Sequence, residues 1–173
     1  ATGRLKVLYD RIKGPDDNVD NIMMAHSLRP HTMEGHMTLY KHVLHNPANR
    51  TPKWLIEALG VYVSMLNGCS YCVEHHFQGM RNLLADDERA DAIRGALEAD
   101  KPELAFDEEA IAALFRYARL LTLEPGTMTR QAADDLRHAG VSDGEILEIN
   151  QVVSYFAYAN RTVLGLGVST EGD

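Results

Sequence analysis

The segment from Thr51 to Gly68 constrains the fold more than any other part of the sequence. Thr51 and Pro52 are typical of a helix start, with Thr as the N-cap and Pro at the first helical position. Asn67 and Gly68 are typical of a helix end, because Gly tolerates the left-handed cap conformation. The residues between them are apolar over more than half of the helix circumference, which predicts a helix that neighbouring helices bury. These apolar residues are Trp54, Leu55, Ala58, Leu59, Val61, Tyr62, Met65 and Leu66.

Similar start and stop signals divide the rest of the chain into helices. The predicted helices run from about Asn18 to Ser27 after a start at Pro15-Asp16-Asp17, from Thr32 to His45, from Cys69 to Leu84, from Asp86 or Asp87 to Ala99, from Glu108 to Leu121, from Thr129 to Gly140 and from Ser142 to Leu164. Asp107 and Thr129 are predicted N-caps, and Ser142 with Glu145 forms a capping box. Val7-Leu8-Tyr9 favours a short strand, but no second candidate could pair with it. We therefore predict an all-α fold with one domain over residues 1–173.

Composition and charge narrow the classes of function. Seventeen Lys and Arg against 25 Asp and Glu give a net charge of −8, which argues against a nucleic-acid partner. No apolar run approaches the ~18 residues of a membrane span, and the N-terminus lacks the pattern of a signal peptide. We expect a cytoplasmic location and no membrane partner. Under reducing conditions two cysteines spaced C-x-x-C indicate redox or metal chemistry before a structural bridge.

The segment around the two cysteines combines three reactive side chains on one helix face. Cys69, Cys72 and His76 fall on a single stripe at the start of the predicted helix, whereas His75 lies off it. The positive end of the helix dipole and a neighbouring imidazole both favour the thiolate. A thiolate at Cys72 could attack a peroxide O–O bond and become a sulfenic acid, which Cys69 could then condense into a disulfide. This two-electron cycle requires no bound cofactor.

The preceding helix offers a helper residue. Glu57, Gly60 and Ser64 form a narrow stripe of small or polar side chains on its otherwise apolar surface. A hairpin through Asn67-Gly68 could fold this stripe against the thiols, where the Glu57 carboxylate could hold His76 protonated or relay protons. The alternative is that Glu57 faces water.

A glutamate, eleven intervening residues and then C-x-x-C-x-x-x-H resembles the motif of the AhpD-like alkylhydroperoxidases, within the carboxymuconolactone decarboxylase-like superfamily. Glu57, Cys69, Cys72 and His76 match it position by position. The Cys-Ser-Tyr-Cys core and the stretch from Tyr155 to Arg161 resemble the peroxidase-related branch more than AhpD proper.

The resemblance implies an all-helical subunit in a homo-oligomer, trimeric or hexameric, that reduces hydroperoxides with electrons from an external dithiol or protein reductant. It implies that Cys72 forms the sulfenic acid, that Cys69 resolves it, and that Glu57 and His76 relay protons. One position departs from the pattern, because Tyr71 stands where AhpD proper has a second histidine.

Other interpretations of the same residues stay open. A zinc site is one alternative, for which Cys69, Cys72 and His76 supply three ligands where a structural site needs four. A c-type haem attachment is excluded, because it requires His at the position that Val73 occupies. Two buried cysteines could also act as small hydrophobic residues. Among functions, the alternatives are a lyase of the carboxymuconolactone decarboxylase type, which needs no cysteine pair, and a non-enzymatic thiol redox sensor.

The remaining clusters predict structure more than chemistry. Five histidines lie between residues 26 and 45, and we expect them to be solvated or hydrogen-bonded surface groups, although His42 and His45 could form a metal pair. The five histidines are His26, His31, His36, His42 and His45. Five methionines predict core filling or the lining of an apolar pocket, namely Met23, Met24, Met33, Met37 and Met65. Glu74 is expected on an exposed face.

Overall fold

The protein is described by a computed structural model that covers residues 1–14 and 17–171. Over these residues it is all-helical, with no strand, which confirms the predicted fold class. The helices are α1 (Gly3–Ile12), α2 (Asn21–Met24), α3 (Pro30–Leu44), α4 (Lys53–Leu66), α5 (Ser70–Leu84), α6 (Asp87–Glu98), α7 (Glu109–Leu123), α8 (Arg130–His138) and α9 (Asp143–Leu166), with short 3-10 turns at Pro102–Leu104 and Pro125–Thr127. No helix within the described ranges has the length and apolarity that crossing a membrane demands.

Helix α4 lies at the centre of the fold, as its apolar pattern predicts. It packs most extensively against α5, and then against α9 and α7. Every residue from 55 to 64 is buried, and Leu59, Val61 and Val63 have no exposed surface. Burial of each large aliphatic side chain stabilises the fold by roughly 1.5–3 kcal/mol. The position of α4 therefore determines where its few polar side chains can act.

A tight hairpin joins α4 to α5. Gly68 adopts the left-handed conformation, with φ of 72°, which a residue with a Cβ adopts only at a cost. The Cys69 backbone N–H then donates to the carbonyl oxygen of Ser64 at 2.9 Å. This bond closes the end of α4, and the Cys69 carbonyl oxygen accepts from Val73 N–H at 3.0 Å as the N-cap of α5. The predicted end of one helix and start of the next are therefore both confirmed.

The N-terminal part of the chain differs from the sequence prediction. Residues 7–9 lie inside α1 and form no strand, because a helix places Leu8 in a small apolar cluster with Met23 and Met33. The helix predicted from Asn18 to Ser27 is reduced to α2. The start predicted for it falls partly on residues 15 and 16, which lie outside the described residues.

Helix starts depend on contacts that the local sequence does not contain. Thr51 was the expected N-cap of α4, but Pro52 takes that position. The Thr51 hydroxyl and backbone N–H instead donate to the carboxylate of Glu148 at 2.7 and 2.9 Å. The capping box of Ser142 and Glu145 is confirmed.

The two other predicted caps make no such bond. Glu108 rather than Asp107 is the N-cap of α7. Thr129 is the N-cap of α8, but its side chain makes no capping hydrogen bond.

Candidate active site

The two cysteines lie at the start of α5, immediately after the hairpin. Cys69 is the N-cap and Cys72 is in the first turn. Their Cα atoms are 5.4 Å apart and the sulfur atoms are joined in a disulfide. Cys69 has 0% exposed surface and Cys72 has 4%. The sulfur pair is therefore shielded from bulk water. A separate cavity borders each of the two cysteines.

Glu57 and His76 form a hydrogen-bonded pair beside the cysteines. His76 Nδ1 lies 2.6 Å from Glu57 Oε2, and both side chains are buried. An ionised carboxylate only accepts, so the imidazole donates its Nδ1–H and leaves Nε2 as the site that gains or loses a proton. Gly79 on α5 makes room for the pair, because a Cβ there would lie 3.3 Å from the Glu57 carboxylate. The arrangement is suited to proton transfer at Nε2.

The rest of the polar stripe on α4 has another role. A Cβ at Gly60 would lie 2.1 Å from the Phe156 ring, so this glycine allows α9 to approach closely. The Ser64 hydroxyl accepts a hydrogen bond from Asn160 Nδ2 at 3.0 Å. Gly60 and Ser64 thus pack against α9, and Glu57 is the member of the stripe that reaches the imidazole on α5. Phe156 in turn lies edge-to-face against His76, with ring centroids 4.5 Å apart.

A small pocket with a volume of about 40 Å³, partly open to solvent, lies beside Cys72. Its wall is mostly aromatic and aliphatic, with a few polar groups, which suits a small and largely apolar ligand. Residues from α2, α3, α5 and α9 line it, including Cys72, His76, Tyr40, Tyr71, Tyr155, Phe156, Met23 and Met37. Two of the five singled-out methionines, Met23 and Met37, therefore do line a pocket.

One histidine of the 26–45 cluster belongs to this pocket, which the sequence analysis missed. His36 has 2% exposed surface, so the expectation of a surface group was wrong for this residue. Its Nε2 lies 3.0 Å from the hydroxyl oxygen of Tyr155. Burial lowers the pKa of His36 to about 4. The available signal was its position on α3, three residues after buried Met33 and therefore on the same face.

The proposed metal pair is not supported by its surroundings. His42 is exposed and makes a hydrogen bond of 3.3 Å to Asn46. His45 instead packs its ring against Tyr40, with centroids 4.6 Å apart. Across residues 1–14 and 17–171, no three side chains of His, Cys, Asp or Glu are grouped in a way that could hold a metal ion.

The sequence matches no known family profile and no curated protein, but solved structures share its fold. An uncharacterised peroxidase-related protein from Silicibacter sp. superposes with a TM-score of 0.77 at 18% identity, over 95% of this chain and 81% of that one. A peroxidase-related protein from Ralstonia eutropha, described as an alkylhydroperoxidase AhpD core, gives 0.75 at 20% identity, over 97% and 84%. The debrominase Bmp8 gives 0.78 at 16% identity, over 98% and 87%. This chain has the AhpD-like fold.

Within the AhpD-like fold, the position of Tyr71 is the departure noted from the sequence. Tyr71 is buried, and its hydroxyl oxygen accepts a weak hydrogen bond from the backbone N–H of Ile22 at 3.4 Å. Its ring also stacks on that of His75, with centroids 6.3 Å apart. Tyr71 therefore joins α5 to α2 and supplies part of the aromatic wall of the pocket.

A second, more open groove lies beside Cys69. It is lined by Cys69, Ser64 and Gly68 from the hairpin and by Glu74 and Arg94 from α5 and α6. The Arg94 guanidinium forms ion pairs with Glu74 and lowers the pKa of that carboxyl. Glu74 is exposed, as expected, and its carboxylate interacts with Arg94. The two cysteines border different cavities.

Proposed function

We propose that this protein is a thiol-dependent hydroperoxide reductase in which Cys69 and Cys72 are the redox pair. The supporting observation is the juxtaposition of this pair, at the start of α5, with the hydrogen-bonded Glu57–His76 pair. One member of each pair, Cys72 and His76, borders a largely apolar pocket that could admit a small hydroperoxide. The fold alone does not specify this chemistry, so the proposal depends on the side chains.

The first step takes place at Cys72 in the reduced protein. His76 Nε2 removes the thiol proton, and the N-terminus of α5 stabilises the thiolate. The sulfur attacks the terminal oxygen of ROOH, the O–O bond breaks and an S–O bond forms. Sulfur loses two electrons, and the alkoxide leaves as ROH with the proton that His76 returns. The Glu57 carboxylate holds the imidazole in place and stabilises its cationic form.

The second step forms the disulfide and the third regenerates the thiols. Cys69 attacks the sulfenic sulfur of Cys72, and hydroxide leaves as water with the Cys69 proton. An external dithiol then exchanges with the disulfide and carries away two electrons as its own disulfide. The groove beside Cys69 gives such a reductant a route that does not pass through the peroxide pocket.

Assembly and location belong to the same proposal. Exposed Leu147, Tyr158 and Leu164 on α9 are apolar surface that a second subunit could cover, which favours a homo-oligomer. The trimer or hexamer remains a prediction. Mass measurement in solution distinguishes these states from a monomer. A cytoplasmic location remains a prediction.

A second candidate function is reductive dehalogenation. A cysteine-to-alanine variant of the debrominase Bmp8, seen in complex with 2,3,4-tribromopyrrole, has this fold with a TM-score of 0.75. The pocket of the present protein has aromatic walls at Tyr40, Tyr71 and Phe156, which suit a flat aromatic ligand. The balanced reaction converts an aryl bromide and two thiols into the arene, a disulfide and HBr. Bromide release from tribromopyrrole, compared with turnover of cumene hydroperoxide, separates the two activities.

Counting free thiols tests the proposed function directly. One equivalent of cumene hydroperoxide should reduce the count from two to zero in the reduced protein. Cys72→Ser should retain its remaining thiol, whereas Cys69→Ser should give a sulfenic acid that dimedone traps at Cys72. Reduced protein that keeps both thiols in the presence of hydroperoxide contradicts the proposal.

Steady-state turnover separates an enzyme from a sensor. With excess dithiol, an enzyme consumes many equivalents of hydroperoxide per subunit. A redox sensor of the kind considered from the sequence consumes one. A lyase of the carboxymuconolactone decarboxylase type would keep its activity in Cys69→Ser and Cys72→Ser.

A further inference from the structure

A chain of hydrogen bonds ends at the wall of the peroxide pocket. His26 Nδ1 lies 2.9 Å from the hydroxyl oxygen of Thr32, and His26 Nε2 lies 3.1 Å from His36 Nδ1. His36 Nε2 lies 3.0 Å from the hydroxyl oxygen of Tyr155. The chain starts at exposed Thr32 and reaches Tyr155, which has 4% exposed surface. It thus connects the start of α3 to a buried phenol on α9.

Counting hydrogens fixes the direction of this chain. The single hydroxyl hydrogen of Thr32 is donated to the carbonyl oxygen of Arg29 at 2.8 Å, so Thr32 must accept from His26 Nδ1–H. Burial lowers the pKa of both imidazoles, that of His36 to about 4, so both are neutral at pH 7. A neutral imidazole has one donor and one acceptor. His26 Nε2 therefore accepts from His36 Nδ1–H, and His36 Nε2 accepts from the Tyr155 hydroxyl.

The direction of the chain determines what Tyr155 offers to a ligand. Its hydroxyl hydrogen is committed to His36, and burial raises its pKa, so it remains a neutral phenol whose oxygen can only accept. Tyr155 borders the same pocket as Cys72 and His76. We propose that the Tyr155 hydroxyl oxygen accepts the O–H of the hydroperoxide and that His36 is the positioning residue that keeps it an acceptor. This inference rests on the proposed function and specifies its substrate class.

The chemistry that follows is selection for a hydrogen-bond donor. A hydroperoxide ROOH carries an O–H on the oxygen that Cys72 attacks, so one hydrogen bond to Tyr155 holds the reacting atom. Sulfur takes that oxygen, the O–O bond breaks, and the alkoxide leaves with a proton from His76. Oxidants without an O–H, such as dialkyl peroxides and disulfides, gain nothing from Tyr155. Tyr155 therefore favours oxidants that carry an O–H on the reacting oxygen over oxidants that do not.

The test compares two oxidants of the same thiolate. The second-order rate constants for oxidation of reduced protein are measured with cumene hydroperoxide and with dithiodipyridine, a disulfide that has no O–H. Tyr155→Phe should lower the ratio of the first constant to the second by about tenfold, the size expected for one lost hydrogen bond. Tyr117→Phe is the matched control, because Tyr117 is also buried, its hydroxyl accepts a hydrogen bond from Asn150, and it does not border the pocket. The control should leave the ratio unchanged.

Each outcome decides a different point. An unchanged ratio in Tyr155→Phe, with hydroperoxide still reduced by the wild type, overturns the role of Tyr155 alone. Wild-type protein that reacts with dithiodipyridine but with no hydroperoxide overturns the proposed function and this inference with it. His36→Leu, which removes the acceptor of the Tyr155 hydrogen, should lower the ratio by about threefold. This second variant decides the matter if Tyr155→Phe does not fold, since an unchanged ratio there also overturns the inference.

Discussion

The pocket beside Cys72 holds two buried imidazoles in contrasting surroundings. His76 donates a hydrogen bond to the carboxylate of Glu57. His36 lies between a phenol and a second imidazole, and burial lowers its pKa to about 4. The same residue type is thus placed beside an ionisable partner on one side of the site and among neutral partners on the other.

This contrast shows how one pocket can separate two tasks. The Glu57–His76 side can exchange a proton at Nε2, as attack by a thiolate requires. The His36–Tyr155 side keeps its protons in fixed positions and can therefore hold a substrate in one orientation. We expect changes on the first side to alter proton transfer and changes on the second to alter substrate discrimination.

The largest expected effect follows from removing the imidazole of His76. In His76→Ala the reaction of reduced protein with cumene hydroperoxide near neutral pH should slow by about 10²-fold, because general-base assistance is lost. Stopped-flow measurement of thiol loss gives the rate, and exposed His42 provides the control His42→Ala. An unchanged rate in His76→Ala would remove this residue from the mechanism.

Acid stability should distinguish His36 from an exposed histidine. Between pH 6.5 and about 4 the unfolded chain binds a proton at this position and the folded protein does not. The unfolding free energy therefore falls as pH decreases through this window, by roughly 3 kcal/mol from this group. Denaturant titrations of His36→Gln should show a smaller fall, and His31→Gln, at an exposed position, should match the wild type. Equal pH dependence in all three proteins would show that His36 is not held neutral.

A methyl group placed against Glu57 should separate activity from stability. In Gly79→Ala the new Cβ would lie 3.3 Å from the Glu57 carboxylate, which must move by a few tenths of an ångström. We expect the hydroperoxide rate to fall by about fivefold, because proton transfer depends on this geometry. The control Gly95→Ala adds its methyl to open space on α6 and should gain about 0.5–1 kcal/mol of stability at unchanged activity. Full activity in Gly79→Ala would mean that the Glu57–His76 pair tolerates displacement.

The smallest expected effect lies at the outer end of the hydrogen-bonded chain. Thr32→Val removes the acceptor of His26 Nδ1–H and should lower the ratio of the cumene hydroperoxide and dithiodipyridine rates by about twofold. Thr38→Val is the control, because Thr38 lies on the same helix and bonds only the carbonyl oxygen of Glu34. If Thr32→Val lowered this ratio more than His36→Leu does, the proposed order of the hydrogen-bonded chain, with Thr32 at its outer end, would be contradicted.

Local spacing predicted the part of the site that lies within one helical hairpin. Cys69, Cys72 and His76 belong to α5 or its cap, so the helical repeat alone places them on one face. The left-handed turn at Gly68 was also predictable. The sequence left two interpretations of Glu57 open, a role beside His76 and exposure to water. Nothing in the sequence decides whether the polar stripe on α4 packs against α5 or faces solvent.

Contacts between distant segments were not predictable in the same way. The hydrogen bond between His36 and Tyr155 joins residues 119 positions apart. Similarly, Thr51 donates to Glu148 across 97 positions and so does not cap α4. In both cases a polar side chain finds a partner on α9, and the local sequence carries no information about which helix will be there.

By itself, the sequence determined the helical class, the buried central helix and the alignment of two sulfurs with an imidazole, because each follows from a repeat of 3.6 residues and from residues that end helices. The tertiary structure decided which helices cover that alignment. Close packing of α9 on Gly60 places Phe156 against His76, and α3 adds His36 to the wall of the pocket. The apolar faces of the helices become buried only when all of the helices pack together. The walls of the pocket are therefore properties of the fold and not of any one segment.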